Sequence, residues 1–222
     1  MERTDVDAIP LSGDVALRER PAEPRKTALL LVDLQNMEYR PGKRDPNDAY
    51  YYDRIENLVI PNNKRLLAAC RDAGVEPIYT VIESLTLDGR DRSLDHKVSG
   101  IFVAKGSWES QVLPDIAPLA NEIVIPKTAS GIFNSTNFEY VLRNLYIESL
   151  IVTGLVTDQC VEGAVRDGCD RGFFITLVGD GCATHTQERH DASLSAVKGY
   201  CRVRTTDEVV AELAGEAARR VA

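Results

Sequence analysis

Five short apolar runs, each separated from the next by enough chain for a helix, constrain this sequence more than any other feature. They are Thr27-Ala-Leu-Leu-Leu-Val32, Pro77-Ile-Tyr-Thr-Val-Ile82, Ile123-Val-Ile125, Leu150-Ile-Val-Thr153 and Phe173-Phe-Ile-Thr-Leu-Val178. Runs of this length, apolar on successive positions, read as strands buried on both faces. Helices are expected over 55–73 (closed by Gly74), around 138–145, from about Cys160 to before Gly172, around 187–199 and over 206–213, with a short strand near 202–205. Strands alternating with helices require right-handed crossovers and a parallel sheet covered on both faces. The expected architecture is α/β, a three-layer α/β/α sandwich around a central, mostly parallel sheet.

At 222 residues and 44% hydrophobic, the chain can bury one substantial core, and no linker divides it. Residues 1–25, with Pro10, Pro21 and Pro24, read as an extended arm, and 26–222 as one domain. The segments 37–53 and 83–108 read as polar loops. A formal net charge of −8, without basic blocks interleaved with aromatics, argues against nucleic acid as a partner. No apolar stretch reaches the ~20 residues that span a bilayer, and the N-terminus lacks a basic region followed by an apolar one, so a soluble, cytoplasmic protein with no membrane partner is expected. Five cysteines form neither a secreted framework nor a CxxC pair, and Cys169 reads as packing.

Cys160 carries the strongest chemical signal. It follows the run Ile151-Val-Thr-Gly154 and a polar turn, and opens an expected helix. There the helix's free N–H groups would favour the thiolate and lower the thiol pKa. A buried structural thiol is the ordinary fate of cysteine, but the strand-to-helix turn is where open α/β sheets bind ligands. Asp33 ends the first run, where a general base belongs, although an aspartate there also caps helices. Lys127 follows Ile123-Val-Ile-Pro126, and taken singly it reads as a solvated charge.

The strings Leu29-Leu-Leu-Val-Asp33-Leu-Gln35-Asn36, Pro126-Lys127 followed by Ser130-Gly-Ile-Phe133, and Gly154-Leu-Val-Thr-Asp-Gln-Cys160-Val-Glu-Gly-Ala-Val-Arg166-Asp167 together resemble the isochorismatase-like cysteine hydrolases. The resemblance runs from about Lys26 to about Leu213. It implies a catalytic triad of Asp33, Lys127 and Cys160, and a cis peptide at Leu155–Val156 that turns the Val156 amide toward an oxyanion hole shared with the Cys160 amide. It implies C–N hydrolysis of a small amide, ureido (carbamoyl) or lactam substrate through a thioester, and assembly as a homo-oligomer, a dimer or tetramer. The apolar stretch Ala8-Ile-Pro-Leu11 suggests that the arm contacts a second subunit or covers a sheet edge.

Nicotinamidases, in the same family, hold a metal through Asp-x-His after the second strand; this chain has Glu83-Ser84-Leu85 there, and His185 and His190 are five apart rather than at helical ligand spacing. No metal and no cofactor are expected. Substrate contacts are assigned to Gln35 and Asn36 beside the base, to Phe133 and Trp108 as apolar walls, and to Glu83. A nicotinamidase-type carboxamide hydrolase and a noncatalytic oligomeric scaffold of the same fold are the alternatives.

Overall fold

In the computed structural model, which describes residues 13, 15–40 and 45–221, the run Thr27–Val32 forms β1, and every residue of it is buried. β1 pairs in parallel with β2 (Glu76–Ile82) on one side and β4 (Ser149–Leu155) on the other. β3 (Ile123–Lys127) extends the sheet beyond β2, and β5 (Phe174–Ala183) and β6 (Arg202–Arg204) extend it beyond β4. The order is β3-β2-β1-β4-β5-β6, parallel throughout.

Among the described residues, eight α-helices connect and cover the strands: α1 (Ala49–Arg54), α2 (Ile60–Ala73), α3 (Leu94–Val98), α4 (Ile132–Ser135), α5 (Phe138–Asn144), α6 (Glu162–Asp170), α7 (Gln187–Ala196) and α8 (Thr206–Val221). Successive β1 side chains point to opposite faces. Leu29 and Leu31 therefore join Leu66, Leu67 and Cys70 of α2 and Val209 and Leu213 of α8. Ala28, Leu30 and Val32 join Leu142 of α5 and Ala164 and Val165 of α6. The sheet is the middle of three layers, as its buried central strands β1 and β4 require.

Several boundaries differ from expectation. The helix expected over 55–73 starts earlier, because α1 continues through one π-helical turn, Ile55–Val59, into α2. The wider turn gives room to Pro61, whose ring would strike the carbonyl four residues back in an uninterrupted α-helix. β5 runs on to Ala183 through Gly179 and Gly181, residues that read as a turn in isolation. Lys127 is the last residue of β3, at the strand end where the sequence places it. The stretch Ala8 to Leu11 lies outside the described residues; Glu19 and Arg20 lie along the sheet's β5–β6 side, with Arg20 3.6 Å over the Phe174 ring and Glu19 bonded to Arg204 at 2.6 Å.

Gly154 fixes how closely β4 approaches β1. Its φ is +118°, and a Cβ there would fall 2.1 Å from the Val32 carbonyl oxygen, a contact no rearrangement of side chains relieves. Gly154→Ala should therefore lower stability by about 3 kcal/mol or more, or prevent folding. Gly163→Ala, in α6 with nothing near the added carbon, should instead raise it by about 0.5–1 kcal/mol. Chemical denaturation of the two variants checks both signs.

Candidate active site

Strand order reverses between β1 and β4, and in open parallel sheets ligands bind beyond the carboxyl ends of the strands at such a point. Asp33 directly follows β1, and Cys160 follows β4 by five residues. Asp33 has φ +51°, a left-handed conformation that aspartate tolerates better than most residues. Its amide donates to the Thr80 carbonyl at 3.2 Å, and the Thr80 hydroxyl donates to Asp33 Oδ1 at 2.7 Å. β2 thereby aims the carboxylate.

Lys127 reaches the same point from beyond β2. Its ammonium pairs with Asp33 Oδ2 at 2.8 Å and donates to the Ala129 carbonyl at 3.0 Å and to Cys160 Sγ at 3.4 Å. Both charged residues are only 1% exposed. Burial opposes the charge on Lys127, but Asp33 and Cys160 outweigh it and hold the ammonium above its ordinary pKa. The expected depression of the thiol pKa is not found. Cys160 lies inside a π-helical turn, Thr157–Val161, ahead of α6, and is 6% exposed. Burial first, then the Asp33 charge, push its pKa to about 12 against the pull of Lys127. The resting group is a thiol beside a carboxylate.

α7 and α1 brace the turn that carries the sulfur. The His190 ring bonds Thr157 Oγ1 through Nδ1 and Arg54 Nη2 through Nε2, both at 2.9 Å. Arginine only donates, so Nε2 accepts and Nδ1–H donates to the hydroxyl. This neutral tautomer fits the fall of the His190 pKa to about 4, caused by burial and the Arg54 charge. Ser193 donates to the Thr157 carbonyl at 3.2 Å, and Asp158 is held by Thr184 and Arg189, both at 2.6 Å. The peptide Leu155–Val156 is cis, at the bond the resemblance implied.

A cleft with room for about 140 Å³ of solvent opens above the sulfur, lined by Asp33, Met37, Glu38, Ile82, His96, Ile101, Ser130, Leu155, Val156, Gln159, Cys160 and His185. Asp33, Val156 and Cys160 are on that wall, and Lys127 lies behind it.

The five residues expected to touch substrate are placed elsewhere. The Gln35 amide joins the end of β2 to the turn at Glu109, donating to the Ile82 and Glu109 carbonyls and accepting from the Ile82 amide. Asn36 donates to the Trp108 carbonyl at 2.9 Å. Glu83 accepts from the Gly106 amide at 2.7 Å. Phe133 packs in the core against Phe138 and Phe173. Trp108, 46% exposed, lies under the Arg40 guanidinium.

Glu38, His96 and His185 line the cleft without having been expected there. Burial raises the Glu38 pKa, and the Tyr51 hydroxyl on its Oε2, at 2.7 Å, partly offsets this. His96 is 1% exposed, and burial followed by the Lys127 charge lowers its pKa. Among the described residues no group of three or more His, Cys, Asp or Glu side chains forms a cluster that could hold a metal ion.

The isochorismatase domain model matches residues 27–208, the whole sheet and every element of the site. The chain belongs to the isochorismatase family. It is 32% identical to the ureidoacrylate amidohydrolase RutB of Pseudomonas syringae pv. syringae (strain B728a), with 82% of each chain covered, and 31% identical to RutB of Rhizobium rhizogenes, with 78% of each covered. Among solved structures, a cysteine hydrolase from Pseudomonas syringae pv. phaseolicola 1448A matches with a TM-score of 0.78 at 23% identity, over 89% of this chain and 96% of that one. The N-carbamoylsarcosine amidase of Thermoplasma acidophilum matches with a TM-score of 0.66 at 25% identity, over 82% and 97%. These likenesses agree with the expected fold class and family.

Because the buried charges at the base of this isochorismatase-family cleft balance each other, Lys127→Met should cost about 3–5 kcal/mol by stranding the Asp33 carboxylate. The double variant Asp33→Asn/Lys127→Met should cost less than the sum of the two single changes. Urea unfolding of the four proteins checks this; a Lys127→Met cost below about 1 kcal/mol contradicts the pairing.

Proposed function

We propose that this protein hydrolyses a C–N bond, other than a peptide bond, in a small amide, ureido (carbamoyl) or lactam substrate, through a thioester on Cys160 and without a metal or cofactor. One observation carries the reading: a single buried ammonium touches both a carboxylate and a thiol at the floor of a cleft. The names of relatives, ureidoacrylate amidohydrolase and N-carbamoylsarcosine amidase, support the reaction class.

In this reading Asp33 accepts the Cys160 proton as sulfur attacks the substrate carbonyl, and the carboxyl returns it to the leaving nitrogen. Lys127 keeps the charge at this site balanced while the proton moves, because its ammonium faces both partners. The backbone amides of Val156 and Cys160 serve as donors to the oxyanion. Asp33 then activates the water that hydrolyses the thioester and restores the thiol. Domain 26–222 does this chemistry in the cytoplasm, and residues 1–25 are the arm of a homo-oligomer. No helix among the described residues is long and apolar enough to cross a membrane.

A product screen by mass spectrometry across amides, ureido acids and lactams tests the chemistry. Cys160→Ala should lose roughly 10³-fold or more in turnover with its fold intact, and Asp33→Asn should be similarly impaired. Turnover near the wild-type rate in Cys160→Ala would reject the covalent route. Activity should also survive exhaustive chelation; its loss, with recovery on added zinc, iron or manganese, would reject the metal-free reading. For assembly, light scattering should give a dimer or tetramer that is weakened when the chain is started at Pro24. A monomeric full-length protein rejects the oligomer, and an unchanged oligomer rejects the arm's part in it.

A further inference from the structure

Asp33, Lys127 and Cys160 account for bond cleavage but give no task to the second carboxyl of the cleft. Glu38 stands five residues after Asp33 and lines the same cavity as Asp33, Cys160 and His185. Its Oε2 is held by the Tyr51 hydroxyl at 2.7 Å. The anchor is itself fixed. Tyr51, 3% exposed, stacks on the His185 ring with centroids 4.8 Å apart, and His185 Nδ1 meets Asp48 Oδ1 at 3.0 Å. A carboxylate pinned by one oxygen, on a residue that lines the cavity, has a second oxygen to offer a donor that the ligand brings.

The reacting carbonyl has two substituents. One is the leaving nitrogen, which Asp33 protonates; the other stays on sulfur. In an N-acyl amine the retained group is carbon and offers no donor. In a ureido compound R–NH–CO–NH2 that loses R–NH2, the retained group is an NH2 with two N–H donors.

We propose that Glu38 is the specificity-determining residue of the cleft, its Oε1 accepting an N–H from the carbamoyl NH2 retained on Cys160, so that ureido compounds are chosen over N-acyl compounds of the same shape. The inference rests on the hydrolytic reading of Asp33, Lys127 and Cys160. The sulfur–carbon bond forms as the thiol proton passes to Asp33. The C–N bond to R–NH then breaks, and R–NH2 leaves with that proton. Water hydrolyses the remaining S-carbamoyl linkage to carbamate and free thiol. Tyr51 is a positioning residue that acts through Glu38.

N-carbamoyl-β-alanine and N-acetyl-β-alanine test this directly, because both release β-alanine and differ only in NH2 against CH3 on the reacting carbonyl. The wild type should favour the carbamoyl compound in kcat/KM. In Glu38→Gln, the Tyr51 hydroxyl takes the amide oxygen and leaves an NH2 facing the substrate's NH2, donor against donor. The preference should fall at least tenfold. Tyr51→Phe, which keeps the carboxyl but frees it, should raise KM for the carbamoyl compound more than it lowers kcat. Unfolding temperatures of both variants close to wild type show that folding is not the cause. An unchanged preference in Glu38→Gln, or a wild type that favours the acetyl compound, overturns the role of Glu38 while leaving the hydrolytic reading in place. Release of β-alanine from neither compound overturns the role of Glu38; in that case, turnover of another amide or lactam in the product screen would still uphold the hydrolytic reading, and its absence there would overturn that as well.

Discussion

A lysine and an aspartate that have both lost their water persist as ions only together, and the contact between Lys127 and Asp33 is the constraint around which this cleft is built. Lys127 ends β3, Asp33 follows β1, and β2 lies between them, so the ammonium must cross a strand to reach its partner. A pair of this kind is poor evidence for stability, because desolvating two ions offsets their attraction, and an apolar pair of the same volume often does as well. Its value lies in what it does to a third group. The ammonium that neutralises Asp33 also faces the Cys160 sulfur, so one buried positive charge is shared between two groups that exchange a proton in the proposed reaction.

The balance at the sulfur runs against a simple picture of an activated cysteine. Burial and the neighbouring carboxylate together exceed the pull of Lys127, and the thiol keeps its proton at rest. The proposed reaction needs a base in contact rather than a standing thiolate, and Asp33 meets that need. His190, Ser193 and Arg54 hold the turn in place from behind without entering the cleft.

How much of this was legible in the sequence follows from what each feature depends on. The strands were legible because burial on both faces leaves an uninterrupted apolar run, and Asp33, Lys127 and Cys160, which the fold brings together, stood out because each lies at or within a few residues of the end of a strand. Gln35, Asn36 and Glu83 looked available because they are polar and near a proposed base, whereas in the fold their side chains bond to the protein itself. Their partners, the carbonyls of Ile82, Glu109 and Trp108 and the amide of Gly106, come from the end of β2 and from segments over 106–109 that only the folded chain brings near. His185 was hidden by a boundary: with β5 expected to stop at Val178 it stood in a remote loop, whereas the strand runs to Ala183 and delivers it to the cleft. Glu38 carried one unread signal, a carboxylate five residues after another in a tyrosine-rich segment. The thiol pKa was misjudged because a helix terminus is visible in sequence and desolvation is not.

The most direct test of this account is the rate of alkylation of Cys160 as a function of pH, followed on its own peptide by mass spectrometry so that the other four cysteines do not interfere. A thiol held near 12 by burial and by Asp33 predicts a rate that climbs with pH through the whole range from 6 to 10 without a plateau. It also predicts faster alkylation at every pH in Asp33→Asn, where the opposing charge is gone. A wild-type plateau at or below neutral pH, or an unchanged profile in Asp33→Asn, would mean that the sulfur rests as a thiolate and that Asp33 is not its base.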